Sequence, residues 1–146
     1  MSRVTFSPLT HGHLDILRLA LDAAGLPNGD LTEADRVFFE LSDDTGPIGF
    51  VGLEGTGSER LLRSLVVLPS RKRQGYGGLL VAHVEAFARA ADAGRLHLLT
   101  TTADAFFGAR GYRPADRATA PNAIAGTTQF ASLCPSSAAY LVKELK

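Results

Sequence analysis

Hydrophobic positions along this chain switch several times between a strand period and a helical period, and the switches map its elements. Arg3 to Phe6 reads as a short strand. From Thr10 the period lengthens. Leu14, Leu17, Leu21 and Ala24 fall on one helical face, Thr10 takes the N-cap position, and Gly25 and Pro27 stop the helix. Asp30 to Asp35 predicts a short second helix, because Glu33 follows a capping Asp30 at capping-box spacing. Val37 to Ser42 and Ile48 to Glu54 are strand-like, and the turn Asp43-Asp44-Thr45-Gly46-Pro47 joins them into a hairpin. Another turn, Gly55-Thr56-Gly57-Ser58, leads into a third long apolar run, Arg60 to Val67.

After a polar interruption, Leu80, Val84, Phe87 and Ala91 mark the buried face of a long helix that ends at Gly94. Leu96 to Thr100 is a strand, Ala103 to Ala109 a short helix capped by Thr102 and closed by Gly111, and Ala139 to Leu145 a final strand. Residues 113–138 are rich in Ala, Pro and Thr and carry no clear period. A loop that long inside a compact domain is functional or holds short helices. An antiparallel meander followed by a βαβα unit predicts the α/β class, with one mixed sheet and helices on both faces.

Composition narrows the function. The 146 residues predict one domain, 1–146. Lys and Arg number 15 and Asp and Glu number 15, so the net charge is zero and a general nucleic-acid binder is not expected. The single cysteine, Cys134, excludes an intramolecular disulfide and a multi-cysteine metal site. No metal is expected. His11 and His13 read as helix-end surface residues, and His83 and His97 as packing residues. Without a signal-peptide pattern or an apolar run of about 18 residues, a soluble cytoplasmic protein with no membrane partner is the expectation.

The polar interruption carries the chemistry. Leu65-Val66-Val67-Leu68-Pro69 ends a strand, Ser70-Arg71-Lys72-Arg73-Gln74 is basic, and Gly75-Tyr76-Gly77-Gly78 opens the long helix. Glycines bring backbone close to an anion, and the free N–H groups of a first helical turn point at it. The cluster is local, which fits a small phosphorylated ligand. No Gly-Lys-Ser/Thr follows, so it is not a P-loop, and it lies too late in the chain for a dinucleotide fingerprint.

Lys72-Arg73-Gln74-Gly75-Tyr76-Gly77 resembles the Arg/Gln-x-x-Gly-x-Gly/Ala signature of the GNAT superfamily of acyl-CoA-dependent N-acetyltransferases. Phe106-Phe107-Gly108-Ala109-Arg110-Gly111-Tyr112 is similar to the x-Tyr-x-x-x-Gly-Phe close of the family's last helix, and the element order agrees from end to end. Three strings, Leu62 to Val67, Leu98 to Ala103 and Gln129 to Pro135, resemble a branch found in bacterial arsenic-resistance operons. The resemblance implies a mostly antiparallel sheet of about six to seven strands, splayed at its central parallel pair. It implies acetyl-CoA as co-substrate, with Leu65, Val66 and Val67 along the pantetheine arm. Lys72, Arg73, Gln74, Gly75, Tyr76, Gly77 and Gly78 would cradle the pyrophosphate, Arg71 would add charge, and Phe107 would line the cofactor site. It also implies acetyl transfer to the primary amine of a small amino-acid-like molecule by direct attack, a role in arsenic resistance, and a homodimer.

Two departures bear on catalysis. Lys72 replaces the motif's first Arg or Gln, which keeps the charge but not the planar fork. Phe107 stands where many members carry a general-acid tyrosine, and Leu62-Arg63-Ser64 where some relatives place a glutamate base. Glu54, acting through water, is the first candidate base, with Tyr112 and Tyr140 as alternative acids. Thr100 and Thr101 could hydrogen-bond the acceptor or thioester. Arg63 reads either as an exposed strand residue or as a clamp for a substrate carboxylate. The rival function is a non-catalytic CoA-binding sensor.

Overall fold

Strand pairing follows from turn chemistry and alternation. The structure, a computed structural model, describes residues 3–26, 28–130 and 138–145. Its seven strands are β1 (Thr5–Pro8), β2 (Arg36–Asp43), β3 (Gly46–Glu54), β4 (Glu59–Val67), β5 (Arg95–Thr100), β6 (Arg113–Pro114) and β7 (Ala139–Glu144). They lie in one sheet in the order β1-β2-β3-β4-β5-β7-β6. At the β2–β3 turn Asp43 Oδ1 accepts from the Thr45 amide at 2.9 Å and its hydroxyl at 2.8 Å. Gly46 supplies the φ of 121° that brings the chain back. Every neighbouring pair is antiparallel except β4–β5.

The helices are α1 (Leu14–Ala23), α2 (Tyr76–Ala90), α3 (Asp104–Gly108) and α4 (Asn122–Ala125). Leu80, Val81, Val84 and Ala88 of α2 pack with Phe39, Leu41, Leu96 and Leu98 on one face of the sheet. Leu14, Leu17 and Leu21 of α1 pack with Phe38, Phe50 and Val66 on the other. Each fully buried leucine contributes about 2 kcal/mol through removal of apolar surface from water. No helix among the described residues is long and apolar enough to cross a membrane.

Two irregularities of β4 matter most. Its pairing with β5 is confined to Glu59↔Arg95, Arg60↔Leu96 and Leu61↔His97, and beyond Leu61 the parallel strands separate. Toward β3 the register runs from Gly52↔Arg63 to Phe50↔Val66, so β4 gains one residue there. Ser64 takes that bulge at a φ of 58°.

Several expected elements differ. The first strand is Thr5–Pro8, where it pairs with β2, rather than Arg3 to Phe6. Asp30 to Asp35 is no helix. Asp30 is buried, and its carboxylate binds arginine side chains instead of capping backbone amides. Thr10 does not cap α1, because a 3-10 turn at His11–His13 intervenes and the Thr10 hydroxyl bonds His13 Nδ1 at 2.9 Å. Gly25, at a φ of 70°, does close α1, and Pro27 lies outside the described residues. Helix α2 ends at Ala90, with Asp92 rather than Gly94 in the left-handed position. Its buried face is rotated toward Val81 and Ala88, which leaves Phe87 40% exposed with its edge on Phe39. Thr102 does not cap α3: the N-cap position is Ala103, without a side-chain cap, and the Ala103 amide donates to the Thr100 hydroxyl at 2.9 Å. The aperiodic stretch holds β6, a 3-10 turn at Arg117–Thr119, and α4.

Candidate active site

The separation of β4 from β5 opens a cavity of about 340 Å³ in the middle of the sheet. Leu62, Ser64 and Leu65 line it from β4, and Leu98 to Thr100 from β5. Thr101, Phe107, Gln129 and the residues just after α1 complete the walls. Four sequence candidates, Leu65, Thr100, Thr101 and Phe107, are therefore brought together. Arg63 also borders the cavity, whereas Glu54 does not.

Beside the far end of β4, Gly75 precedes α2 at a φ of 82°, a conformation costly for other residues. A Cβ on Gly75 would meet nothing within 4 Å, so this backbone is open to a ligand. The amides of Tyr76, Gly77 and Gly78 belong to the first turn and have no intrahelical acceptor. Gly77 and Gly78 have a packing duty as well. A Cβ on Gly77 would stand 3.1 Å from the Phe106 ring, and one on Gly78 only 2.8 Å from Arg110 Nη2. Lys72, Arg73 and Gln74 are exposed, and the two cations have no ion-pair partner among the described residues. Arg71 is different. Its guanidinium donates to both Asp43 oxygens at 2.8 Å and so pins the loop to the β2–β3 hairpin. The hydrogen bond from Arg71 holds the Asp43 carboxyl well below the usual carboxylate range. The charge expected of Arg71 for a ligand is thus already neutralised.

The sequence profile of the acetyltransferase (GNAT) domain matches residues 34–114, more than half of the chain. The chain belongs to the GNAT acetyltransferase family. N-acetylglutamate synthase from Neisseria gonorrhoeae, complexed with coenzyme A and N-acetyl-glutamate, superposes with a TM-score of 0.80 at 22% identity. That match covers 100% of this chain but 36% of the synthase, so the chain spans about a third of that protein. A GNAT acetyltransferase from Staphylococcus aureus superposes at 0.79 with 12% identity, over 99% of this chain and 100% of that one. The ribosomal-protein-S18-alanine N-acetyltransferase of Escherichia coli gives 0.76 with 16% identity, over 99% and 95% of the two chains. No curated protein matches the chain.

In this GNAT domain Arg63 is neither an exposed strand residue nor a free clamp. It is 3% exposed and donates to Asp30 at 2.6 Å and to Glu54 at 2.9 Å. Arg36 donates to Asp30 at 3.0 Å and forms an ion pair with Glu54 at 3.3 Å. Burial alone would raise the Asp30 carboxyl, but the hydrogen bonds and charges of Arg63 and Arg36 outweigh it and hold the group low. Glu54 is tied to the guanidiniums of Arg63 and Arg36 and faces a second cavity, with Asn122 and Thr127, rather than the one between β4 and β5.

Neither alternative acid reaches the cavity. The Tyr112 hydroxyl is buried and donates to Glu85 at 2.8 Å, and burial drives its pKa upward. Lys143 completes that group at 3.0 Å from both Glu85 oxygens. The Tyr140 hydroxyl bonds His97 Nδ1 at 2.7 Å, and His97 Nε2 lies 2.6 Å from Glu59. Burial lowers the His97 pKa, against the raising effect of Glu59. His83 stacks on Phe6. Cys134 and most of the Gln129 to Pro135 string lie outside the described residues.

Sequence reasoning missed the pairing of Asp30 with Arg63 and the packing of Arg110 against Gly78. The signal for Asp30 was indirect, since a buried Arg63 requires a carboxylate somewhere. The signal for Arg110 was its i, i+4 relation to Phe106 at the foot of α3.

Proposed function

We propose that this GNAT domain transfers an acetyl group from acetyl-CoA to the primary amine of a small amino-acid-like acceptor within a ternary complex. The observation that carries the reading is the meeting of two features. The β4–β5 gap opens a small, mostly neutral cavity beside a strand edge, and that same strand runs into the open backbone at Gly75. Val67 joins them, since its side chain lies 4.0 Å from the Cβ position of Gly77. The pantetheine arm would follow Leu65 to Val67, with its pyrophosphate on the α2 amides.

The chemistry asks little of side-chain acids and bases. The neutral amine attacks the thioester carbonyl, the N–C bond forms, and the C–S bond breaks with its electron pair on sulfur. A thiolate is a stable enough anion to leave without protonation, since an alkyl thiol such as cysteine's has a pKa of only about 8.5. The ammonium proton leaves through water in the cavity, which suits a site where Phe107 replaces the acid. Placement of the two reactants can supply several kcal/mol of the barrier. Thr100 accepts the Ala103 amide, so its own O–H remains to donate to the thioester oxygen or the acceptor. An acceptor carboxylate would meet Thr101, Ser64 or Gln129, because Arg63 is already doubly paired. The strings at Leu62 to Val67 and Leu98 to Ala103 support including amino-acid-like arsenicals among the acceptors.

The test is release of free CoA thiol from acetyl-CoA across a panel of amino acids and their phosphorus and arsenic analogues. Amine-dependent release is expected. Calorimetric binding of CoA with no release against any amine would instead assign the sensor role, which Phe107 favours. A melting temperature unmoved by millimolar acetyl-CoA would remove the CoA site altogether.

A further inference from the structure

Arg110 follows α3, and its Nη1 donates to the Phe106 carbonyl at 2.9 Å. Its guanidinium lies over the Phe106 ring, with Cζ 3.8 Å from the centroid. Phe106 in turn covers Gly77. One residue further along α2, a Cβ on Gly78 would stand 2.8 Å from Arg110 Nη2 and 3.2 Å from Nε. The missing side chain at Gly78 is what lets the guanidinium rest on the first turn of α2.

That is the positive end of a 15-residue helix, where a cation is repelled. Arg110 nonetheless has no carboxylate partner among the described residues. Arg63 and Arg71 each have at least one. One carbonyl and one aromatic face fix the plane of the Arg110 guanidinium and leave most of its N–H donors unused. An anion between that fork and the α2 amides would relieve the repulsion and satisfy both.

We infer that Arg110 is a prearranged phosphate ligand of the coenzyme, gripping from the α3 side an anion that the α2 amides grip from the loop side. The inference rests on the CoA reading above and adds a residue to it. CoA offers two such anions, the diphosphate and the ribose 3′-phosphate, and a planar fork suits either.

Calorimetry of wild type, Arg110→Met and Arg110→Lys with CoA and 3′-dephospho-CoA, plus NMR titration with phosphate-free pantetheine, tests it. Arg110→Met should weaken CoA by about tenfold or more and leave pantetheine unchanged. An equal loss with 3′-dephospho-CoA places the contact on the diphosphate, and no loss there places it on the 3′-phosphate. Arg110→Lys keeps the charge without the fork and should recover part of the affinity. It also serves if the Met variant does not fold, since its loss must again be confined to phosphate-bearing ligands. CoA binding within about twofold of wild type in a folded Met variant would overturn the inference. So would an equal loss of pantetheine, which would make Arg110 only a support for α3. If wild type bound none of the three ligands, the CoA reading itself would fail instead.

Discussion

The paired arginines of β2 and β4 and the cations around the start of α2 share a chemistry but stand in opposite states. Arg63 and Arg36 share two largely buried carboxylates, Asp30 and Glu54, in one ion-pair cluster. Lys72 and Arg73 are exposed with no ion-pair partner among the described residues, and Arg110 is held by a ring and a carbonyl. Arg71 marks the border, since it sits in the same loop but is spent on Asp43. Charge alone therefore does not mark a ligand site here. A buried guanidinium needs fixed carboxylates for the fold to hold, whereas a cation left over around a helix start is available to an anion from outside.

The largest effect expected from breaking this contrast is at Asp30. Asp30→Ala leaves the buried Arg63 to share Glu54 with its neighbour Arg36 and should cost about 3–5 kcal/mol in urea denaturation. A loss below about 1 kcal/mol would mean that the cluster does not need its acid. The same group sets a pH dependence. Its folded pKa lies below the ordinary 3.8, so its contribution is complete above that value and is lost as pH falls through the lower folded value. Asp30→Asn should flatten this acid limb of the stability curve.

Gly75 comes next. Gly75→Val forces a β-branched residue to a φ of 82° and should lower stability by about 1–2 kcal/mol. It should also weaken CoA by about tenfold or more, because the side chain occupies the open approach to the helix. Unchanged affinity in a folded Gly75→Val protein would sink the cradle assignment. The paired substitution Lys72→Met with Arg73→Met should move stability by less than about 0.5 kcal/mol. Its mark should be a several-fold loss of CoA affinity together with a weaker salt dependence, read by calorimetry at two ionic strengths. Equal salt dependence in the variant would mean that these charges play no part. The smallest change is Phe107→Tyr. CoA affinity should stay within about twofold, and the pH–rate profile should gain an alkaline limb from the new phenol. An unaltered profile would show that an acid at this position is irrelevant to the rate.

Much of this was legible in the chain. The hairpin, the long strand into the glycine loop and the long helix after it rest on local signals, because each alternation or turn residue acts within a few positions. The boundaries of the Asp30 turn were not legible. Asp30 and Glu33 have capping-box spacing, but the carboxylate is claimed by Arg63, 33 residues away, and tertiary pairing overrides a short local propensity. Phe87 misled for a related reason. Its period fits the buried face, yet its ring reaches Phe39 from the rim while Val81 and Ala88 fill the contact. The glycines were read as access for an anion. Space is open at Gly75, while Gly77 and Gly78 also make room for α3, a distinction that exists only once α3 is folded against α2.

The parting of β4 from β5 leaves two strand edges in the interior of a sheet rather than at its rim. Exposed edges invite pairing with another chain, and proteins ordinarily blunt them. Here the run is short, and Pro69 begins a 3-10 turn directly after it, which limits how far a foreign strand could extend. A coenzyme arm lying along Leu65 to Val67 would complete the protection by acting as a missing strand. The ligand would then guard against self-association as well as supply the acetyl group. Amide exchange at Leu65 and Val67 should slow on CoA binding, while the β2–β3 hairpin keeps its rate.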